Sequence, residues 1–228
     1  MSDAGSNQPL QYLIVGTGRS GTGFMSRLFT SVGLLCGHES VFGADWWQSK
    51  RGGEFESRVN KQLKAESSWM AVPYMERIKE AFEPKAMIHV VRHPSPVIRS
   101  LTAINMFVDS NKQTEAWRDF IYHHMPQIQQ YKTPLERAAS FYISWNQLIE
   151  TKYGTLDQDA FFRVEDDPHP LFESLGIAIE GKRLFKNKSF NHRNYPDEME
   201  NFDFRVHFKN HDLMPELEAI AQKYGYTD

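Results

Sequence analysis

Short apolar runs alternate with longer amphipathic stretches along the chain, and their order predicts an α/β arrangement. Tyr12-Leu13-Ile14-Val15 is an apolar, β-leaning run that reads as a buried strand. A glycine-rich loop follows, then "TGFMSRLFTSVGL", in which Phe24, Leu28, Phe29 and Val32 share roughly one helical face and Gly33 marks a helix end. Trp69-Met70-Ala71-Val72 predicts another short strand, and Pro73 opens a helix through about Phe82. The clearest strand runs from Ala86 to Val91, apolar at nearly every position, as expected of a parallel strand covered on both faces. Pro94 and Pro96 start a helix carrying Val97, Ile98, Leu101 and Ile104. Helical patterns follow over residues 114–130 and 134–152, residues 160–164 predict a late strand, and residues 215–224 a last helix. Residues 182–208 are polar and aromatic without clean periodicity and read as a functional or cap-like loop region. Together these predict a single α/β domain over residues 1–228, with residues 1–10 as a disordered tail.

Composition narrows the picture little. A chain of 228 residues, 40% hydrophobic and 24% charged, suits one well-packed globular domain. Its net charge of −3 argues against a general nucleic-acid binder. Cys36 is the one cysteine, so no intrachain disulfide forms. The polar opening stretch lacks the apolar core of a signal peptide, and no run approaches transmembrane length. A cytoplasmic location is therefore expected.

Chemistry concentrates in "VGTGRSGTGF", residues 15–24, where Gly16, Gly18, Gly21 and Gly23 surround Arg19. Glycines there permit positive φ and close approach of backbone to a ligand. Loop N–H groups at the start of a helix cradle phosphate-like anions. Gly16 and Gly21 have Walker A spacing, yet Thr22-Gly23 stands where an NTPase carries Lys-Ser or Lys-Thr. The nucleotide-hydrolysing reading thus loses its lysine and its magnesium-binding hydroxyl.

"GRSGTGFMSRLF" resembles the 5′-phosphosulfate loop of sulfotransferases that use 3′-phosphoadenosine-5′-phosphosulfate (PAPS), whose core is Lys/Arg-Ser-Gly-Thr. Tyrosylprotein and carbohydrate sulfotransferases carry the arginine form, matched by Arg19-Ser20-Gly21-Thr22. "VVRHPSPVIRSL" is similar to the family's 3′-phosphate site, with Arg92 at a strand end, Pro94 after it and Ser100 eight residues on. An arginine there offers a planar fork for phosphate, and the serine adds a hydroxyl donor. "LLCGHES" looks like the Cys-Gly-x-Glu segment of tyrosylprotein sulfotransferases, which makes Glu39 the candidate base. His38 competes for that role, because an imidazole's ordinary pKa suits a base better.

The resemblance implies a three-layer α/β/α, P-loop-like domain with a central, mainly parallel sheet. It also implies transfer of a sulfuryl group from PAPS to a hydroxyl or amine acceptor. The 5′-phosphosulfate would lie on backbone amides from Gly18 through Arg19, Ser20, Gly21 and Thr22 to Gly23, the 3′-phosphate on Arg92 and Ser100. Arg19 would stabilise charge as the S–O bond breaks, leaving adenosine 3′,5′-bisphosphate. That leaving group is a stable anion near neutral pH, so it needs charge neutralisation more than a proton, and no metal is expected.

"FFRVEDDPHPLFESLGI" resembles the family's Tyr-Glu-Asp segment, with Val164 in place of the aromatic residue. "KNKSFNHRN" supplies Lys188 and Arg193 as candidates for a basic loop over the nucleotide, without the cytosolic enzymes' Gly-x-x-Gly-x-x-Lys pattern. Trp46 and Trp47 are candidate walls of an acceptor pocket, or core residues. His123-His124 has no further ligand at informative spacing and reads as a helix-face coincidence. The acceptor stays open among a sugar, a peptidyl tyrosine, a lipid and a small metabolite. A P-loop kinase or NTPase, and a non-catalytic adenosine bisphosphate-binding protein, remain alternatives.

Overall fold

The structure is a computed structural model that describes residues 10–50, 53–153, 161–186, 195 and 197–227. Five strands form one sheet: β1 (Tyr12–Gly16), β2 (Cys36–His38), β3 (Ala65–Ser67), β4 (Ala86–Val91) and β5 (Phe161–Arg163). They lie in the order β2-β3-β1-β4-β5 with every pairing parallel. The helices in chain order are α1 (Thr22–Ser31), α2 (Ala44–Lys50), α3 (Met75–Phe82), α4 (Pro94–Ala103), α5 (Glu115–His124) and α6 (Pro134–Tyr153). After β5 come α7 (His169–Ser174), α8 (Asp197–Glu200), α9 (Phe204–His207) and α10 (Met214–Lys223).

The alternation of side chains along a strand sorts the core into two layers. From β1, Tyr12 and Ile14 join Ile88 and Val90 of β4 in a cluster under α1 and α7, with Phe24, Leu28, Phe29 and Phe172. Leu13 and Val15, with Met87 and Val91, face the larger cluster built by α2 to α6 and α10. The molecule is therefore a three-layer α/β/α domain around a parallel sheet. Each large apolar side chain buried this way contributes roughly 1.5–3 kcal/mol before chain entropy is charged against it.

Three expectations need correction. Trp69–Tyr74 is a 3-10 helix rather than a strand, opened by Ser68, whose side chain accepts from the Met70 N–H. The strand in that region is β3, four residues earlier, with the sequence Ala-Glu-Ser. Its polar residues hid it. The pattern over residues 114–130 is α5 followed by a separate 3-10 turn, Pro126–Gln130, because Pro126 cannot continue the helix. Leu10, grouped with the opening tail, is buried, and its N–H donates to the Leu63 carbonyl at 3.0 Å.

Candidate functional site

The glycine loop leaves the C-terminal end of β1 and turns into α1 at the edge of the sheet. Gly16 is the last residue of β1 and pairs with Val90; a Cβ on it would stand 2.4 Å from the Val90 carbonyl oxygen. That contact, rather than a ligand, explains the glycine. Ser20 closes the loop by donating from Oγ to the same carbonyl at 3.2 Å, and its N–H donates to the Thr17 carbonyl. Gly21 takes φ +114 and would place a Cβ 2.8 Å from Cγ2 of Val164. Of the four loop glycines only Gly21 has positive φ; the other left-handed residue is Arg19, at φ 76. A non-glycine residue there costs on the order of 1 kcal/mol, a strain that collects at functional sites. Gly21 caps α1 and offers no side-chain hydrogen bond to the first-turn amides.

Arg19 projects toward α4, where Nε donates to Ser100 Oγ at 2.8 Å. That bond uses an oxygen lone pair and leaves the Ser100 O–H as a donor. Arg92 follows β4, its carbonyl fixed by the Tyr142 hydroxyl at 2.9 Å. Its Nε is buried with no hydrogen-bond partner among the described residues; the Glu165 carboxylate stands 3.8 Å away. Tyr226 donates to the other Glu165 oxygen at 2.7 Å and so steadies that counter-charge. Arg163 is engaged with Asp166 and with the Gly225 carbonyl.

Glu39 and His38 also line this site, at the end of β2. Glu39 adopts φ 53, with its N–H on the Ser67 carbonyl at 3.2 Å. Burial raises its carboxyl to about 7, helped by the negative charge of Glu66 and opposed by a Trp69 hydrogen bond and by Arg19. His38 is shifted the other way, held below the ordinary imidazole range by burial and by the charges of Arg19 and Arg27. Its Nε2 lies 3.3 Å from Thr22 Oγ1 and 3.6 Å from Glu39 Oε1.

These groups share one cleft enclosing about 900 Å³ of empty space, open solvent at its mouth included. Gly18, Arg19, Gly21, Thr22 and Gly23 line it with His38, Glu39, Arg92 and Ser100. Ser20 is not among the lining residues, since its side chain is spent inside the loop.

The structure also moves some assignments. Trp46 and Trp47 are 0% and 1% exposed and belong to the core, not to the cleft wall. Trp46 packs on Phe42, Phe55 and Tyr74, while Trp47 packs on Phe120 and donates to Asp119 at 2.8 Å. The cleft's indoles are Trp69 and Trp117 instead, beside Ile104 and Met106. Lys188 and Arg193 lie outside the described residues. Arg99 was missed: it lines the cleft one residue before Ser100, its guanidinium 4.2 Å from the Tyr195 ring centroid. Helical periodicity hid it, since α4 reads as one apolar face and Arg99 as its solvated side. Phe24, read only as a core residue, also lines the cleft. Among the described residues no group of three His, Cys, Asp or Glu could hold a metal ion, and no helix is long and apolar enough to cross a membrane.

No protein-family model matches the chain, and no curated protein matches it in sequence. Solved structures do. The sulfotransferase domain from the curacin biosynthetic pathway superposes with a TM-score of 0.53 at 14% identity, over 96% of this chain and 98% of that one. A sulfotransferase from Alicyclobacillus acidocaldarius does so with a TM-score of 0.52 at 12% identity, over 93% of this chain and 96% of that one. Likeness at such low identity speaks to architecture and leaves the chemistry to the residues, so the conclusion it carries is that this chain has the sulfotransferase fold.

Proposed function

We propose that the protein moves a sulfuryl group from PAPS to a hydroxyl or amine acceptor. One observation carries this reading: a single cleft holds an arginine bonded to a serine, a second arginine whose buried Nε has no hydrogen-bond partner among the described residues, and a carboxyl poised near neutrality. The donor fits the residues present. The Arg92 Nε lacks a hydrogen-bond partner among the described residues, and the α1 amides carry no side-chain cap. Both suit the two phosphate ends of such a nucleotide. When bound, PAPS supplies an S–O bond whose leaving group departs as adenosine 3′,5′-bisphosphate.

The chain's own residues do the rest. Amides of the loop from Gly18 to Gly23, except that of Ser20, which is spent on the Thr17 carbonyl, hold the 5′ end, and Arg92 with the Ser100 hydroxyl holds the 3′-phosphate. Glu39 takes the acceptor's proton as its oxygen or nitrogen bonds to sulfur, and Arg19 stabilises the negative charge left on the departing phosphate oxygen. Trp69, Ile104, Met106 and Trp117 form the apolar wall against which the acceptor's body would rest.

Thermal unfolding tests the donor. Adenosine 3′,5′-bisphosphate at ~100 times its dissociation constant should stabilise the fold by about 2.7 kcal/mol. For a chain of this size that is a rise in Tm of roughly 5–10 °C. ATP with magnesium should give far less, and Arg92→Ala should remove most of the bisphosphate shift. Equal shifts from the two nucleotides would point to a kinase or NTPase. A bisphosphate shift with no labelled sulfate reaching a phenol, an alkyl alcohol or a sugar would leave a non-catalytic binder.

A further inference from the structure

A carboxylate in the middle of a buried strand is costly unless its oxygens are bonded. Glu66, on β3, is 0% exposed and stands in register between Leu13 of β1 and Gly37 of β2. Its side chain runs over Gly37, where a Cβ would come within 2.0 Å of Oε2; no other residue fits at 37 without displacing the carboxylate. Beyond Gly37 the two oxygens meet donors from the turn after Glu39. Ser40 Oγ donates to Oε2 at 2.6 Å and the Val41 N–H to Oε1 at 2.9 Å, with further support from the Ser40 and Phe42 backbone. Glu39 therefore sits at φ 53 on a loop whose next three residues are wrapped around a carboxylate from the strand beneath.

We propose that Glu66 is a positioning residue for Glu39: its buried carboxylate anchors the loop that presents Glu39 to the cleft and places a second negative charge behind it. The inference rests on Glu39 being the base. Among the described residues, the groups that act on Glu39 are His38 beside it, Arg19 from the glycine loop and Glu66 from β3, with the Trp69 N–H from the 3-10 helix. Arg19 and Trp69 favour the ionised carboxyl, whereas Glu66 opposes it after burial has done so. A base held near neutrality is both ionised in part and strong enough to take a proton, which is the optimum for general base catalysis. Glu66 thus acts through Glu39 and touches no reacting atom.

The test reads Glu39 directly. With ¹³C-carboxyl-labelled glutamate, the Glu39 resonance is assigned by its loss in Glu39→Gln and titrated in the parent and in Glu66→Gln. Glutamine keeps the shape and removes the charge. The Glu39 proton affinity should fall about tenfold, the usual scale for a nearby like charge. The acid limb of kcat should move to lower pH by the same factor, while the bisphosphate Tm shift stays as in the parent. Ser40→Ala keeps the carboxylate and deletes one donor; Glu66 then holds its proton more tightly, and the Glu39 midpoint should fall by less. The titration needs no turnover, so a protein that transfers no sulfate overturns the proposed function and leaves this measurement standing. An unchanged Glu39 midpoint in folded Glu66→Gln overturns the positioning role, as does an unchanged midpoint in Ser40→Ala should the glutamine variant not fold.

Discussion

Two neighbouring residues, Glu39 and His38, are pushed in opposite directions by the same burial, because burial penalises whichever form is charged. The carboxyl becomes the more proton-avid of the pair, and this inverts the order that ordinary pKa values suggest. A carboxyl raised to about 7 binds its proton more tightly in the folded than in the unfolded chain. Folding stability therefore falls as pH rises from the usual carboxylate range through about 7, and stays reduced above it. Glu39→Gln, with no proton to lose, should melt a few degrees above the parent at pH 8, an advantage that closes by about pH 4. Its turnover should drop by about 10²–10⁴ with the bisphosphate Tm shift retained. Parent-like turnover in that variant, with loss in His38→Ala, would make the imidazole the base. Arg19 gives a second residue-level test. Arg19→Ala should lower turnover by ~10²–10³, more than it weakens donor binding. Arg19→Lys should recover only part of that loss, since an ammonium keeps the charge but cannot bond Ser100 and a phosphate oxygen in one planar fork. Steady-state kinetics at saturating donor separates these outcomes, and parent-like kcat in Arg19→Ala removes the arginine from the chemistry.

Among the elements, legibility followed apolar composition rather than burial, since β3 is buried throughout and yet polar at two of its three positions. β1 and β4 pair with each other inside the sheet and are apolar on both faces but for the buried His89, and their sequences announce them. The three-residue strands β2 and β3 contain Gly37, His38, Glu66 and Ser67, and nothing in their composition marks a strand. Their polar side chains are used by the site and by its supporting loop, which is why the pattern failed there. The close approach of β1 to β4 yields an element-level prediction. Gly16→Ala puts a methyl group 2.4 Å from a backbone oxygen that cannot retreat without parting the two strands, and 2.5 Å from Ser20 Oγ. Chemical denaturation should show a loss of about 3 kcal/mol, the upper range for overpacking. A loss below 1 kcal/mol would mean that the strands adjust freely.

At the scale of the whole molecule, parallel strands deliver their C-terminal ends, and the loops after them, to one edge of the sheet, where α/β folds place their ligands. Loops after β1, β2 and β4 carry Arg19, Glu39 and Arg92 to that edge, and α4 adds Ser100. The sequence by itself determined the strand–loop–helix at the N-terminus, the strand at residues 86–91 and the helix after it, because local periodicity and turn chemistry encode such units. It also determined which residue types stand in the loop, and therefore which anion chemistry is available there. Tertiary structure alone decided that Arg19 bonds Ser100 across 81 positions, that Trp46 and Trp47 fill the core while Trp69 and Trp117 face the cleft, and that Glu66 lies behind Glu39. Those outcomes depend on contacts between segments far apart in the chain. Burial and charge at a site are sums over such contacts, and no window of sequence contains them.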